Sequence, residues 1–377
     1  MMKSSIRVTF RVDASLEMGT GHVMRCLTLA NALKEQGTEC HFICREHPGN
    51  LIDKIQQAGF VVHSLPLTTN TQAFKQQLLN KENQLFHASW LGTSQVQDAQ
   101  ECQALLEKNQ PDWLIVDHYA LDKTWQQALQ PYYKKLMVID DLGDREHLAD
   151  LLLDQNYAST AEKYQGLVPE NCQILAGTQY TLLRPEFAQW REFSLKRRQN
   201  NPAINKILVT LGGVDPDNYT GKILAELAKA DLSPEVEITI VIGATAPHLE
   251  DIKHQAAKMH FTTRVKVNVN NMAELMSKAD LAIGAAGATT WERCCLGLPT
   301  IQVAIAANQT PSVKALASKN AALALLPNQI ATELSATLNQ LMNTPSLLEK
   351  LTYQASKLVN GQGTQRVVSA VDPGIKQ

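Results

Sequence analysis

The sequence predicts an α/β protein with two Rossmann-like domains, each built on a parallel sheet. A length of 377 residues exceeds one ordinary α/β core. Short apolar strands alternate with helical stretches along the chain, and both halves open with a strand, a glycine-bearing loop and a helix. We place the domains at residues 1–198 and 205–377, with the polar, proline-bearing stretch 194–205 as the connection.

Apolar runs and helical spacing predict the elements in order. The first half carries strands at 6–12, 40–44, 61–65, 113–116, 136–139, 151–153 and 174–175, and helices at 23–36, 51–57 and 94–108. The second half carries strands at 206–211, 237–242, 264–269, 281–283 and 300–303. Ligands of such sheets bind beyond the carboxyl ends of the strands. We therefore expect an active site in the cleft between the two domains.

The first glycine loop presents a histidine. A helix start offers backbone N–H groups to an anion, and His22 follows Gly21 directly, near the first helical turn. His22 is therefore a candidate acid or base beside an anion site. From this segment alone, Gly19 and Gly21 could serve only a tight turn, and a structural histidine is at least equally compatible.

Composition limits the function classes. A net charge of −2 argues against a nucleic-acid binder, and we interpret the one basic run, 196–198, as a solvated helix end or linker. No apolar run reaches the ~18 residues of a membrane helix, and no signal peptide is evident. We expect a cytoplasmic enzyme with no membrane or nucleic-acid partner.

Cysteine and carboxylate patterns do not indicate a metal site. The seven cysteines are scattered without a Cys-x-x-Cys motif, which predicts reduced, buried thiols. Asp140 and Asp141 could be read as a metal pair. We favour an N-capped turn with Arg145 as the charge partner.

The second half predicts a nucleotide site. Gly212 and Gly213 follow a strand, and Asp217 or Asn218 can cap the next helix. Small residues at 284–288 lead into a helix start whose donors suit a diphosphate. Glu292, one turn in, could accept hydrogen bonds from ribose hydroxyls or could be a solvated helix glutamate. The stretch 306–309, Ala-Ala-Asn-Gln, could bind sugar hydroxyl or acetamido groups.

These motifs resemble known families. The run Gly-Ala-Thr-Thr-x-Glu, followed by Gly-Leu-Pro and Asn-Gln, resembles the nucleotide half of B-type (GT-B) nucleotide-sugar glycosyltransferases. The first half is similar to the UDP-2,4-diacetamido-2,4,6-trideoxy-β-L-altropyranose hydrolases of pseudaminic acid biosynthesis. The motifs that carry this second resemblance are Phe10-Arg-Val-Asp-Ala-Ser15, Gly19-Thr-Gly-His-Val-Met-Arg-Cys26, Val116-Asp-His-Tyr119, Ile139-Asp-Asp-Leu-Gly-Asp-Arg145, Leu152-Leu-Asp-Gln-Asn156, Tyr180-Thr-Leu-Leu-Arg-Pro185 and Leu211-Gly-Gly-Val-Asp-Pro216.

The resemblance implies a GT-B-type hydrolase that splits a small-molecule UDP-sugar into UDP and free sugar, with no cofactor. It implies that His22 is the catalytic base for water attacking the anomeric carbon with inversion. The predicted substrate-binding residues are Gly21, Asp13, Tyr119, Gly213, Asn218, Gly287, Ala288, Thr289, Glu292, Asn308 and Gln309. A UDP-sugar-dependent glycosyltransferase, a hydrolase for a related sugar and a non-catalytic UDP-sugar-binding protein remain alternatives. The polar stretch 68–97 is interpreted as a mobile loop or lid.

Overall fold

A computed structural model describes residues 6–67, 85–200, 203–306 and 309–373. The chain divides into two compact units. The first unit comprises Met1–Leu182 with Gly363–Gln377, and the second comprises Leu183–Gln362. Both units have the predicted α/β architecture, although the division falls at positions other than those expected from the sequence.

In the first unit, the described residues form a seven-stranded, wholly parallel sheet. Its strands are β1 (Arg7–Val12), β2 (Glu39–Arg45), β3 (Val61–Leu65), β4 (Trp113–Asp117), β5 (Lys135–Ile139), β6 (Leu151–Asp154) and β7 (Gln173–Ala176). The helices are α1 (Gly21–Glu35), α2 (Ile52–Gln57), α3 (Gln95–Asn109) and α4 (Lys123–Leu129). The strand order β3-β2-β1-β4-β5-β6-β7 reverses between β1 and β4. Loops leaving this reversal are the usual place for ligands in such sheets.

Both faces of this sheet are covered by apolar side chains, as parallel sheets require. On one face, Phe10 of β1 packs in the same core as Cys26 and Leu33 of α1. On the other face, Val116 of β4 packs with Trp125 of α4. The sheet is therefore held rigidly, and the loops beyond its carboxyl edge are attached to a fixed frame.

In the second unit, the described residues form a six-stranded parallel sheet in the order β10-β9-β8-β11-β12-β13. Its strands are β8 (Lys206–Thr210), β9 (Glu237–Ile242), β10 (Thr262–Val267), β11 (Leu281–Ala285), β12 (Thr300–Val303) and β13 (Leu323–Leu325). The helices are α5 (Pro185–Asn200), α6 (Tyr219–Leu227), α7 (Leu249–Ala257), α8 (Met272–Lys278), α9 (Thr289–Cys295), α10 (Thr310–Ser318), α11 (Ile330–Asn343) and α12 (Pro345–Leu358). Here the order reverses between β8 and β11.

The expected connection at 194–205 is corrected by the structure. Residues up to Asn200 belong to α5, which lies in the second unit. Arg198, from the run interpreted as solvated, is buried, and its guanidinium donates to the carbonyls of Met276 and Ala279 at 2.9 and 2.6 Å. Arg197 pairs with Asp280. The basic run therefore satisfies carbonyl groups at the end of α8, where helices leave acceptors unpaired.

The C-terminal boundary also differs from the expected 205–377. A last helix, α13 (Gly363–Val371), belongs to the first unit, where Val367 and Val368 are buried beside β1 and α1. Gly363 permits this return, because a Cβ there would lie 2.2 Å from the carbonyl oxygen of Thr181. Close backbone approach of this kind requires glycine.

Other composition-based expectations can be compared with the described residues. All seven cysteines are free, and six of them are buried. No helix in the described ranges is long and apolar enough to cross a membrane. Within the same ranges, no group of three or more His, Cys, Asp or Glu side chains is arranged to hold a metal ion.

Candidate active site

In the first unit, the carboxyl ends of β1 and β4 bring together His22 and Asp117. Asp117 ends β4 beside Val12 of β1, and His22 lies on the first turn of α1. His22 Nδ1 lies 2.6 Å from Asp117 Oδ1. The Asp117 side chain is fully buried, and His22 is 8% exposed. The predicted base therefore has a buried carboxylate partner.

Arg25 completes this group. One turn after His22, its Nε and Nη2 donate to the two oxygens of Asp117 at 2.6 and 2.7 Å. Burial acts to raise the pKa of Asp117, but the interactions with Arg25 and His22 outweigh it and hold that pKa far below its usual range. Asp117 is therefore a carboxylate, which can only accept hydrogen bonds.

The carboxylate determines the tautomer of His22. Because Asp117 accepts, we assign the proton of the neutral imidazole to Nδ1, which leaves a lone pair on Nε2. A buried carboxylate that orients an imidazole in this way also stabilises the imidazolium that forms when Nε2 takes a proton. The arrangement is that of a general base with a fixed orientation.

Tyr119 and Asp141 flank this group. The Tyr119 hydroxyl donates to Asp141, whose other oxygen lies 3.2 Å from Arg25 Nη1. Burial raises the pKa of Tyr119 well above its usual range, so the phenol stays protonated. Its ring meets His22 edge-on with ring centroids 4.6 Å apart. The structure therefore places Tyr119, a predicted sugar-pocket residue, against His22.

Two more aromatic side chains extend from Tyr119. Trp90 stacks on Tyr119 with centroids 5.7 Å apart, and His87 lies 4.4 Å from Trp90 and 5.1 Å from Tyr119. Trp90 also meets His22 edge-on at 6.4 Å. We call His87, Trp90 and Tyr119 the aromatic wall. His87 and Trp90 lie in the 85–97 part of the predicted lid; residues 68–84 of that stretch lie outside the described residues.

Asp13, a predicted substrate-binding residue, is held in the interior of the first unit. Its side chain is fully buried, with Oδ1 2.7 Å from Arg11 Nη1 and 2.6 Å from the backbone nitrogen of Arg45. Oδ2 lies 3.3 Å from His118 Nε2. Interactions with Arg11 and His118 overcome the effect of burial and hold the pKa of Asp13 well below its usual range. Asp13 therefore ties β1 to β2, and its predicted substrate contact stays a prediction.

Asp140 and Asp141 differ although they are adjacent. Asp140 accepts from the backbone nitrogens of Leu142 and Gly143 and from Arg145 Nη1 at 3.0 Å. The predicted N-capped turn with Arg145 as its charge partner is confirmed. Asp141 faces Arg25 and Tyr119 instead, a role that the sequence interpretation missed.

In the second unit, the loops after β8 and β11 have open space beside them. A Cβ added at Gly213 or Gly287 would meet nothing within 4 Å, and the same holds for Gly21 at the start of α1. The carbonyl of Gly213 accepts from the backbone nitrogen of Gly243 at 2.9 Å, which fixes the loop. Asn218 caps α6, because its side chain accepts from the Gly221 nitrogen at 3.0 Å. The capping prediction is confirmed, whereas its predicted substrate contact stays a prediction.

The loop between β11 and α9 is supported from beneath by Arg293. This buried side chain donates to the Ala285 carbonyl at 2.8 Å and to Thr289 Oγ1 at 3.1 Å. Gln302 Nε2 donates to Thr290 Oγ1 at 2.6 Å. The backbone N–H groups of Ala288 and Thr289 make no hydrogen bond within the described ranges. Two donors at this exposed turn are therefore available to an acceptor, as the sequence predicts.

Glu292 is not the solvated glutamate that one interpretation allowed. Its side chain is 16% exposed, and burial raises its pKa to about 7 despite the opposing charges of Arg184 and Arg293. Arg184 Nη2 lies 3.9 Å from Glu292 Oε1. Gln309 Oε1 accepts from the backbone nitrogen of Ile305 at 3.1 Å, so its amide nitrogen remains for other contacts. Asn308 lies outside the described residues.

The sequence analysis assigned no role to four functional candidates: Arg25, Asp117, Trp90 and Arg293. Two local signals were usable: the His22–Arg25 spacing of three, which places both side chains on one face of a helix, and the position of Asp117 within the motif Val116-Asp-His-Tyr119. Asp117 stands 95 positions from His22, so only the strand order of the sheet brings them together.

Comparisons with known proteins agree with this description. Residues 206–365 match the glycosyltransferase family 28 C-terminal domain. The chain is 26% identical over 316 residues to the UDP-2,4-diacetamido-2,4,6-trideoxy-beta-L-altropyranose hydrolase of Campylobacter jejuni, covering 83% of this chain and 97% of that protein. It is also 26% identical over 300 residues to the uncharacterized protein MJ1062 of Methanocaldococcus jannaschii. That match covers 78% of this chain but 55%, about half, of the relative.

Solved structures show the fold. Acinetobacter baumannii MurG matches with a TM-score of 0.66 at 16% identity, covering 98% of this chain and 99% of MurG. At that identity the likeness concerns architecture alone. The predicted GT-B-type fold class is confirmed. The chain thus has the fold of the B-type glycosyltransferases, is similar to the UDP-2,4-diacetamido-2,4,6-trideoxy-beta-L-altropyranose hydrolase of Campylobacter jejuni, and matches the glycosyltransferase family 28 C-terminal domain over residues 206–365.

Proposed function

We propose that this protein hydrolyses a UDP-linked diacetamido-trideoxyhexose, UDP-2,4-diacetamido-2,4,6-trideoxy-β-L-altropyranose, to UDP and the free sugar. The observation that carries the proposal is the buried Arg25–Asp117–His22 group, which leaves Nε2 as a base. The similarity to the Campylobacter jejuni hydrolase over nearly its whole length supports the choice of substrate.

The chemical step follows from the tautomer of His22. Nε2 takes a proton from a water molecule as the water oxygen forms a bond to the anomeric carbon. The bond between that carbon and the diphosphate oxygen breaks, and its electron pair leaves with UDP. Asp117, held ionised by Arg25, stabilises the imidazolium that results. One base and one water give a single displacement, so the anomeric configuration inverts.

The second unit supplies the nucleotide site in this proposal. The N–H groups of Ala288 and Thr289 bind the diphosphate and stabilise the charge that builds on it as it leaves. Gly213 and Gly287 allow the phosphates close approach, and Glu292 accepts hydrogen bonds from the ribose hydroxyls. We also assign substrate binding to Asn218, Asn308 and Gln309, without specifying which group of the UDP-sugar each one contacts.

A glycosyltransferase is the second candidate, because a family 28 C-terminal domain and a MurG-like fold are also features expected of a transferase. In that case the same base would take the proton from an acceptor hydroxyl instead of water. The two candidates differ in whether UDP is released when no acceptor is present.

The test is incubation of the protein with a panel of UDP-diacetamido-trideoxyhexoses in ¹⁸O-labelled water, without acceptor. We expect UDP release, label in the sugar, and an inverted anomer in prompt NMR spectra. His22→Asn should lose at least ~10²-fold in turnover and still bind UDP. His147→Asn, which alters another buried histidine of the same unit, should keep turnover. Label in UDP, retention of configuration, or UDP release only with an acceptor would overturn the proposal.

A further inference from the structure

We propose that Trp90 selects substrates with an apolar face, by presenting the aromatic wall to methyl and C–H groups of the sugar beside His22. This inference rests on the proposed function and extends it to substrate choice. It concerns a residue that neither the motifs nor the resemblance indicated.

The position of Trp90 is the first step. Its ring lies edge-on to His22 with centroids 6.4 Å apart and stacks on Tyr119 at 26° between the planes. A water activated by His22 Nε2 attacks the anomeric carbon, so the sugar ring must lie within a few ångströms of the imidazole. Trp90 is half-buried and keeps part of its ring accessible. A sugar placed for reaction therefore meets this ring.

The chemistry of the wall is the second step. The polar groups of Trp90 and Tyr119 are already engaged: Trp90 Nε1 donates to Glu17 Oε1 at 3.1 Å, and the Tyr119 hydroxyl donates to Asp141. His87 Nδ1 is buried and has no hydrogen-bond partner among the described residues. Burial lowers the pKa of His87, which leaves this ring uncharged at neutral pH. The wall offers ring faces rather than free hydroxyl or indole donors. A sugar hydroxyl pressed against the ring face of Trp90 or Tyr119 would lose water without gaining a partner.

The third step is that the local backbone fixes the wall. Trp90 belongs to a 3₁₀ turn, Ala88–Leu91, whose Leu91 is buried in the core. Gly92 ends the turn with φ +71°, and a Cβ there would lie 2.8 Å from His47 Cε1 and 2.9 Å from Leu67 Cδ1. Buried Leu91 on one side of Trp90 and close packing at Gly92 restrict where the indole can lie.

A deoxysugar with acetamido groups fits this surface. Methyl groups and ring C–H bonds gain contact area on aromatic faces, whereas an added hydroxyl is rejected to a limited extent, about 10- to 100-fold, by an apolar surface. The wall therefore predicts a preference for a 6-deoxy, acetamido-bearing sugar over counterparts that carry hydroxyls at those positions.

The experiment compares kcat/KM for three donors: a UDP-2,4-diacetamido-2,4,6-trideoxyhexose, its analogue with a C6 hydroxyl, and its analogue with a C4 hydroxyl instead of the acetamido group. We expect the unaltered protein to prefer the first donor by about 10-fold or more over at least one analogue. Trp90→Ala should reduce that preference to within about threefold, mainly through KM, and Trp90→Phe should retain most of it. Trp190→Ala, which removes a half-buried indole of the second unit, should change nothing.

A binding measurement separates this inference from the proposed function. In a His22→Asn background, calorimetry compares the affinity of each donor with that of UDP. Trp90→Ala should remove the gain in affinity due to the sugar and leave UDP affinity unchanged. If no donor is hydrolysed, the proposed function fails and this measurement alone decides the inference. Should Trp90→Ala not fold, Trp90→Gln replaces it in both the kcat/KM comparison and the calorimetric measurement. An unchanged preference together with an unchanged sugar contribution would overturn the role of Trp90.

Discussion

Replacement of Asp117 by Asn tests the orientation of the candidate base. An ionised Asp117 accepts the Nδ1 proton of His22 at 2.6 Å and so keeps Nε2 unprotonated. An Asn side chain can donate from its amide nitrogen to Nδ1, which moves the imidazole proton to Nε2. That tautomer cannot take a proton from water at Nε2.

The expected magnitudes follow from the geometry. Loss of a correctly oriented general base costs about 10²–10⁴-fold in kcat, and the upper end applies where the wrong tautomer is fixed. The change also removes a buried charge partner of Arg25, for which about 3–5 kcal/mol is typical. Asp141, 3.2 Å from Arg25 Nη1, remains as a second carboxylate, so we expect the lower end of this range. UDP affinity should not change.

The assay is UDP release under saturating donor, with UDP affinity by calorimetry and stability by urea unfolding on the same samples. Asp98→Asn is the matched control, because Asp98 is equally buried and accepts from Arg11, Arg45 and Trp125. It should lose comparable stability and keep kcat within about threefold. If Asp117→Asn keeps kcat, or if Asp98→Asn loses as much, Asp117 does not act through the tautomer of His22.

Three further predictions concern the second unit. Burial raises the pKa of Glu292 to about 7, so if its ionised form accepts the ribose hydroxyls, uridine affinity should rise about tenfold from pH 6 to pH 8. Glu292→Gln should abolish this pH dependence of uridine affinity. A pH dependence that survives in Glu292→Gln would refute the assignment. The same raised pKa means that the folded state holds an extra proton between about pH 4.5 and 7, so stability should fall as pH rises through that window, but not in Glu292→Gln. Arg198→Met should cost about 3 kcal/mol of unfolding free energy, because the Met276 carbonyl loses this donor and the Ala279 carbonyl keeps only the longer bond from Arg197 Nη1, at 3.4 Å. Lys196→Met on the exposed side of the same helix should be neutral, and equal urea midpoints for the two variants would refute this account.

Much of the fold could be predicted because local pattern and tertiary environment agree. Strands β4 and β8 are mainly apolar runs buried on both faces, which a sequence pattern reveals readily. The second half of α5 could not be predicted in this way. Its composition is that of a linker, and its helical state depends on carbonyl acceptors such as Ala279, 81 positions away from Arg198. Strand β13 was missed because three residues, Leu-Ala-Leu, carry too short a pattern.

The candidate site likewise contains residues that a local sequence pattern indicates and residues that only the tertiary structure brings together. Gly287 lies in a glycine-bearing loop, and His22 and Glu292 lie in the first turn of the helix that follows such a loop. Each of these loops can be recognised from a few consecutive residues. The strand order brings Asp117 to His22, and a turn after a long intervening stretch brings Trp90 there. The motif Val116-Asp-His-Tyr119 contains Asp117 but does not indicate its partner, and Trp90 has no local motif. Asp13 shows the converse, because a carboxylate directly after a strand suggests a ligand contact, while the fold uses it to pair β1 with β2.

The charge balance around His22 explains why one base needs so many partners. With a neutral imidazole, the guanidinium of Arg25 faces two carboxylates, Asp117 and Asp141, within 3.2 Å. The buried group then carries an excess of one negative charge. In the proposed reaction, a proton accepted at His22 Nε2 cancels this excess, so the environment is complementary to the charge that the proposed attack of water would place on the imidazole. Preorganised groups of this kind contribute most where water is excluded, and His22, which meets the Tyr119 and Trp90 rings edge-on, is 8% exposed.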